Sequence, residues 1–178
     1  MGVRPIPCDP IRTDLVINGG FETGTLAGWT FTGTPTVLAN TSSHTAPGPV
    51  RAHSGTFLVE LDPNESISQT IFSGLCGKRV YRLATNLGAP GDIDDPFNSQ
   101  TTVTLQFRDG NNQNLGAPQS FVAVAESQNV NHEGGWTYHE LFAVSPPGTR
   151  GALITIQTAN DAPHNGIRVD DTSLILFN

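Results

Sequence analysis

Two short stretches carry the residues best placed to do chemistry. One is Leu15–Trp29, reading LVINGGFETGTLAGW; the other is Ile167–Leu176, reading IRVDDTSLIL. The first holds Glu22 just after Gly19, Gly20 and Phe21, and the second holds the adjacent pair Asp170 and Asp171. Two glycines permit a positive φ or a close backbone approach. Phe21 can then anchor in a core while Glu22 turns back toward the chain. Carboxylates are hard oxygen donors, so the chemistry suggested is a cation held where the two chain ends meet.

Other polar clusters say less. Asp92, Asp94 and Asp95 have D-x-D-D spacing but lack the glycine and distal glutamate of an EF-hand loop, and read as an acidic loop. His44, His53, His132, His139 and His164 are scattered, with no His-x-x-x-His pair. No G-x-S-x-G elbow and no Cys–His signature is present. Glu60, Glu126, Glu133 and Glu140 would serve as a glycosidase pair only if two met at the separation that reaction needs. Surface carboxylates are the simpler reading, and the chain reads as non-catalytic.

Aromatic rings are the candidates for binding, because sites for sugars combine apolar faces with a few placed polar groups. Trp29 follows Gly28 and reads as core. Tyr81, Trp136 and Tyr138 are the candidate ligand-binding rings. Asn86, Arg82, Gln106 or Gln157 are their expected polar neighbours on one sheet face.

Strands must position these residues. Thr101–Asp109, reading TTVTLQFRD, puts Val103, Leu105 and Phe107 on one face. Arg79–Leu87, Thr137–Val144 and Ala152–Thr158 alternate in the same way, as half-buried antiparallel strands do. Phe57–Leu61, Ser66–Phe72, Phe121–Val124 and Ile167–Phe177 bring the expected total to roughly nine or ten. Turn sequences such as Asp62–Pro63–Asn64 and Pro146–Pro147–Gly148 separate them. The expected fold is all-β: a two-sheet antiparallel jelly-roll sandwich over 15–178, preceded by a Pro-rich arm over 1–14.

Composition agrees and excludes some functions. The 178 residues include 19 glycines and 13 prolines, which suits many short strands joined by turns. The formal net charge is −7 and no basic cluster exists, which argues against nucleic-acid binding. No apolar run approaches the ~18 residues of a helical membrane span. The first residues, MGVRPIPCDPIRTD, lack an apolar h-region and read as an extended arm rather than a signal peptide. Cys8 and Cys76 leave three arrangements open: two thiols, a bond between subunits, or an intrachain bond. The last would close a loop of roughly 70 residues, contributing up to about 4 kcal/mol.

Four motifs in order carry a resemblance. They are Asn18–Gly19–Gly20–Phe21–Glu22 with Gly28–Trp29; His53–Ser54–Gly55–Thr56–Phe57–Leu58; Ser68–Gln69–Thr70 followed by Gly77–Lys78–Arg79–Val80–Tyr81; and Val169–Asp170–Asp171–Thr172–Ser173–Leu174. Together they resemble the calcium-containing jelly-roll carbohydrate-binding modules of families 4, 9, 16 and 22, within the galactose-binding-like superfold. The likeness spans Leu15 to Phe177.

The resemblance implies a structural Ca²⁺. Its ligands would be the Glu22 carboxylate, the Gly20 carbonyl, carbonyls at Arg51, His53 and Ser54, and Asp170 or Asp171. Asp170 is favoured because Thr172 and Leu174 share its parity. Where the family often has a carboxylate in the middle loop, this chain has Arg51 and His53, which implies a site richer in backbone donors.

Two functions follow. One is a non-catalytic, calcium-stabilised module that binds carbohydrate. The alternative is a structural subunit of an extracellular filament, layer or spore coat. That subunit would assemble with copies of itself through the N-terminal arm, with Cys8 able to lock the contact. Either expectation places the protein outside the cell or on a cell or spore surface.

Overall fold

Alternating apolar residues give ten strands. They are β1 (Thr30–Thr32), β2 (Thr36–Ala39), β3 (Phe57–Leu61), β4 (Ser66–Ile71), β5 (Val80–Gly88), β6 (Asn98–Arg108), β7 (Gln119–Glu126), β8 (Trp136–Val144), β9 (Gly151–Thr158) and β10 (Ile167–Leu176). The structure is a computed structural model and describes residues 8–41, 50–88, 98–126, 135–160 and 167–178. The acidic cluster at Asp92, Asp94 and Asp95 lies outside the described residues, as do His44, His132, Glu133 and His164.

Two antiparallel five-stranded sheets face each other. One runs β1-β4-β9-β6-β7 and the other β2-β3-β10-β5-β8. This is the jelly-roll sandwich expected from the alternation. In-register rows such as Ile67↔Ile156↔Val103 supply one inner face. Leu83, Leu87, Val169 and Leu174 supply the other, all at 0–1% exposure. Burying such side chains contributes about 1.5–3 kcal/mol each. Phe21 and Trp29 complete the core, their rings 5.7 Å apart. The Trp29 indole N–H donates to the Asn18 carbonyl at 3.1 Å, which ties the glycine turn to the core.

Segment 15–19 pairs with β10 without forming a regular strand. The Leu15 amide donates to the Leu174 carbonyl and the Thr172 amide to the Gly19 carbonyl, at 3.0 and 2.9 Å. Segment 15–19 thus lies along the second half of β10, beyond its pairing with β3. The Gln69 side chain clamps Ile17 from the opposite sheet, accepting from its amide and donating to its carbonyl, both at 2.8 Å. Gln69 is 3% exposed, and these bonds satisfy both ends of its amide.

At one end of the sandwich the arm is fastened covalently. Cys8 and Cys76 are joined in a disulfide within the chain, with Cα atoms 5.7 Å apart. Of the three arrangements left open above, the structure holds the intrachain bond, which occupies the Cys8 sulfur. Beside it, the Ile11 amide donates to the Gly74 carbonyl at 3.0 Å. Tyr81 supports the same corner. Its hydroxyl accepts from the Cys76 amide at 2.7 Å, and Ser145 Oγ donates to the Cys76 carbonyl at 2.7 Å. Tyr81 is fully buried, and burial pushes its phenol pKa up. The expectation that Tyr81 binds ligand is therefore corrected. It shares the inward face of β5 with Leu83 and Leu87.

Candidate functional site

The two acidic stretches do meet. Asp170 sits on β10 opposite Asn86 of β5. The register then slips, so that Ser173 faces Ala84. One residue is extra in β10, and Asp171 takes a positive φ of 50°. Aspartate tolerates this left-handed conformation better than most residues. The bulge corrects the parity reading of the sequence. Thr172 and Leu174 face the core on the far side of the extra residue, whereas Asp170, next to inward Val169, faces the outside of its sheet.

That outer position is nonetheless fully buried, because the loop before β3 and the glycine turn cover it. Asp170 Oδ2 accepts from the Ser54 amide at 3.1 Å, and its Oδ1 accepts from the Asp171 amide at 2.7 Å. Asp171 accepts from Ser54 Oγ at 2.7 Å and pairs with His53 Nδ1 at 2.6 Å. Glu22 accepts from the amides of Thr56 and Phe57, at 2.9 and 3.0 Å. Gly55, at φ +64°, leaves the space this carboxylate occupies; a Cβ there would collide with it. Gly20 leaves a second such space. A Cβ on it would lie 3.2 Å from Asp171 Oδ1, 3.7 Å from Asp170 Oδ1 and 3.8 Å from Glu22 Cγ. All three acidic side chains therefore border Gly20.

The electrostatics are unbalanced. Burial raises the Asp170 pKa from 3.8 to about 6, and the neighbouring Asp171 carboxylate adds to the effect; the Ser54 and Asp171 amides oppose it. Hard oxygen donors are present: the Asp170 and Asp171 carboxylates border a cradle that lacks a Cβ, and Asp170 is buried with no cationic partner among the described residues, whereas Glu22 reaches the cradle through Cγ and turns its carboxylate to Gly55. The arrangement itself is closed by N–H and O–H donors. No group of three or more His, Cys, Asp or Glu side chains among the described residues is set out as a ready metal cluster. The Arg51 carbonyl, an expected ligand, instead accepts the Trp136 indole N–H at 3.2 Å. His53 and Ser54, expected as carbonyl donors, reach Asp171 through their side chains. Sequence spacing could not show that, because it depends on how the loop closes over β10.

The candidate rings divide. Trp136 is half-buried, lies over Gly88, and meets His53 edge-on at 5.9 Å, so it holds the loop in place. Tyr138 is 51% exposed, and its hydroxyl donates to Glu140 Oε2 at 2.9 Å. Phe142 follows on the same outward face of β8, 44% exposed. Two-residue periodicity along WTYHELFAV was the signal for this row. Arg82 lies across from Phe142, and its charge acts on the Tyr138 phenol. The expected polar neighbours split between sheets. Asn86 and Arg82 belong to this face. Gln157 is on the other sheet, as is Gln106, which is 6% exposed and bonds the carbonyls of Phe107 and Leu115.

Of the four glutamates named for a glycosidase pair, the side chains of Glu60 and Glu140 are described, and those two do not meet. Glu60 accepts from Arg168 at 3.2 Å. Glu60 and Glu140 sit on strands three places apart, at least about 14 Å from the ~4.8 Å strand spacing. Glycoside hydrolysis needs about 5–9.5 Å. His139 faces inward, stacked on Phe121 at 5.6 Å, and burial lowers its pKa.

No family model matches the chain, and no curated protein does. Solved structures do. A family 61 carbohydrate-binding module in complex with β-1,4-galactotriose superposes at a TM-score of 0.64 and 18% identity, over 92% of this chain and 99% of that one. A Stig cyclase from Fischerella sp. TAU, in complex with an indole compound, gives 0.67 and 15%, over 93% and 98%. The enzymatically active domain of bacteriophage CBA120 tailspike protein 4 gives 0.65 and 17% over 92% of this chain, which spans only 21% of that one. At these identities the shared property is the jelly-roll fold, common to binding modules and to a cyclase.

Proposed function

We propose that the chain is a non-catalytic carbohydrate-binding module, stabilised by calcium, that takes glycan on the outer face of the β2-β3-β10-β5-β8 sheet. The observation that carries this reading is the row Tyr138, Glu140 and Phe142 on β8 with Arg82 beside it. Two exposed rings four residues apart, about 13 Å along a strand, bracket a carboxylate and a guanidinium. Rings offer stacking faces, and the charged groups offer hydrogen bonds to hydroxyls between them. The likeness in fold to a module crystallised with a galactotriose supports the same reading. Calcium would be held by Glu22, Asp170 and Asp171 with the Gly20 carbonyl, and would supply the positive charge that buried Asp170 lacks. A disulfide fits an oxidising, extracellular setting.

The test is titration calorimetry with β-1,4-linked galacto-, xylo- and gluco-oligosaccharides. Tyr138→Ala or Phe142→Ala should weaken binding at least tenfold, about 1.4 kcal/mol, with the melting temperature unchanged in Tyr138→Ala and slightly lowered in Phe142→Ala, which loses its contact with Phe177. Unchanged affinity in both variants would move the site elsewhere. Self-assembly is the second reading, favoured by the exposed lower edge of the same sheet. There Phe177 packs edge-on against Phe142 at 4.8 Å, beside Val144 at 63% exposure. Light scattering that stays monomeric to millimolar concentration counts against it.

A further inference from the structure

We propose that the groove between the disulfide-tethered arm and β4 is a second carbohydrate site, distinct from the β8 row, that takes a neutral saccharide on the face of Phe72. The groove is concave, with a volume of about 360 Å³, within the range of small-ligand pockets. Arm residues Ile11, Thr13 and Asp14 form one wall, and Thr70, Phe72 and Ser73 form the other.

Phe72 is 73% exposed, the most open of the large apolar side chains among the described residues. It follows inward-facing Ile71 at the end of β4, so alternation turns its ring out of the core. The hydroxyls of Thr13, Thr70 and Ser73 form no hydrogen bond among the described residues. Asp14 uses only Oδ1, which accepts from the Val16 and Leu174 amides at 3.0 and 2.9 Å, and its Oδ2 is open. An aromatic face ringed by unused hydroxyls and one carboxylate oxygen matches a pyranose, which has an apolar C–H face and a hydroxyl rim.

Charge selects within that class. Among the described residues no Lys, Arg or His lines the groove, and Asp14 does. The chain as a whole carries −7. A uronic acid or sulfated sugar would meet like charge, so the fitting ligand is neutral. The walls are also preformed. Cys8–Cys76 and the Ile11–Gly74 hydrogen bond fasten the arm, and Gly74 packs so close to Ile11 and Leu15 that a Cβ there would strike both. A fixed groove loses little ordering entropy on binding.

The experiment is amide NMR on the full oxidised chain, titrated with β-1,4-galactotriose, xylotriose and cellotriose, and with trigalacturonate as the acidic contrast. A neutral trisaccharide should shift the Thr13, Thr70, Phe72 and Ser73 amides as a set that saturates separately from the Tyr138 and Phe142 set. Phe72→Ala should weaken the first set at least tenfold and leave the second unchanged. Reducing the disulfide should weaken the first set alone. Trigalacturonate should shift neither groove wall. The inference is overturned if the groove amides stay still to 10 mM of every neutral probe, or if trigalacturonate shifts them as strongly. Movement of the groove set while the β8 set stays silent would sink the β8 reading and leave this one standing. Movement of the β8 set alone would do the reverse.

Discussion

The N-terminal segment is fastened to the sandwich in two places that differ in kind. At the arm, Cys8–Cys76, the Tyr81 hydroxyl and Ser145 Oγ form a corner without formal charge whose polar atoms are paired. At the glycine turn, Asp170 and Asp171 crowd one cradle, with Glu22 beside it and His53 paired to Asp171. A neutral, satisfied corner contributes the same stability across pH and salt. A carboxylate cluster is stable only when something removes or balances its charge. The first is a staple; the second is a place where protons decide stability, and where the proposed cation would.

Removing the staple should have the largest effect. The double variant Cys8→Ala, Cys76→Ala opens a loop spanning 68 positions and should cost roughly 4 kcal/mol in denaturant unfolding, equally at pH 5 and pH 7.5. A cost that varies with pH would break the distinction between the two regions.

The cluster should behave in the opposite way. Asp170 has a folded-state pKa of about 6 against an ordinary value of 3.8, so folding favours its protonated form. Without a divalent cation, its penalty is absent below about pH 4 and is fully felt once pH has risen through 6. In EDTA the protein should lose about 3 kcal/mol between those limits. Asp170→Asn should remove that slope and be more stable than wild type at pH 7.5. Calcium should restore wild type and leave Asp170→Asn unmoved. A flat wild-type profile with no response to calcium would show that the hydrogen bonds of Ser54 and Asp171 suffice for the ionised group.

A smaller change sharpens the neutral side. Tyr81→Phe keeps the ring in the core but leaves the buried Cys76 amide without its acceptor. The expected cost is about 1–3 kcal/mol, the same with and without calcium. If it depended on calcium, the two fastenings would be coupled through the intervening strand.

How far the residues themselves announced these regions differs too. Alternation in TTVTLQFRD and ALITIQT was enough to place β6 and β9, because one buried face imposes a period of two. The glycine turn and the Gly28–Trp29 pair, rather than alternation, marked Phe21 and Trp29 as core. Alternation failed at Asp170–Asp171, where one extra residue reverses the parity, and nothing in VDDTSL marks a bulge except two residues that tolerate a positive φ. Tyr81 was misread as a binding ring because alternation places a tyrosine on a face without saying whether its hydroxyl finds a partner inside. The β8 row was legible in part: Tyr138 was picked out, but Glu140 and Phe142 fall on its face by the same period.

The smallest expected effect tests whether the two carboxylate stretches act together. Glu22 is exposed, and it reaches the amides of Thr56 and Phe57, which open to water if it is removed. In EDTA, Glu22→Ala should therefore lower the melting temperature by only about 2–4 °C, the size of one exposed charge-assisted contact. In saturating calcium the loss should be larger, because the variant forfeits a ligand as well as a hydrogen-bond acceptor. A ligand present at a hundred times its dissociation constant adds roughly 2.7 kcal/mol to the state that binds it, and that increment should shrink in the variant. Equal losses in EDTA and in calcium would mean that Glu22 braces the loop before β3 and takes no part in holding the cation. Any cation would then rest on Asp170, Asp171 and backbone carbonyls alone.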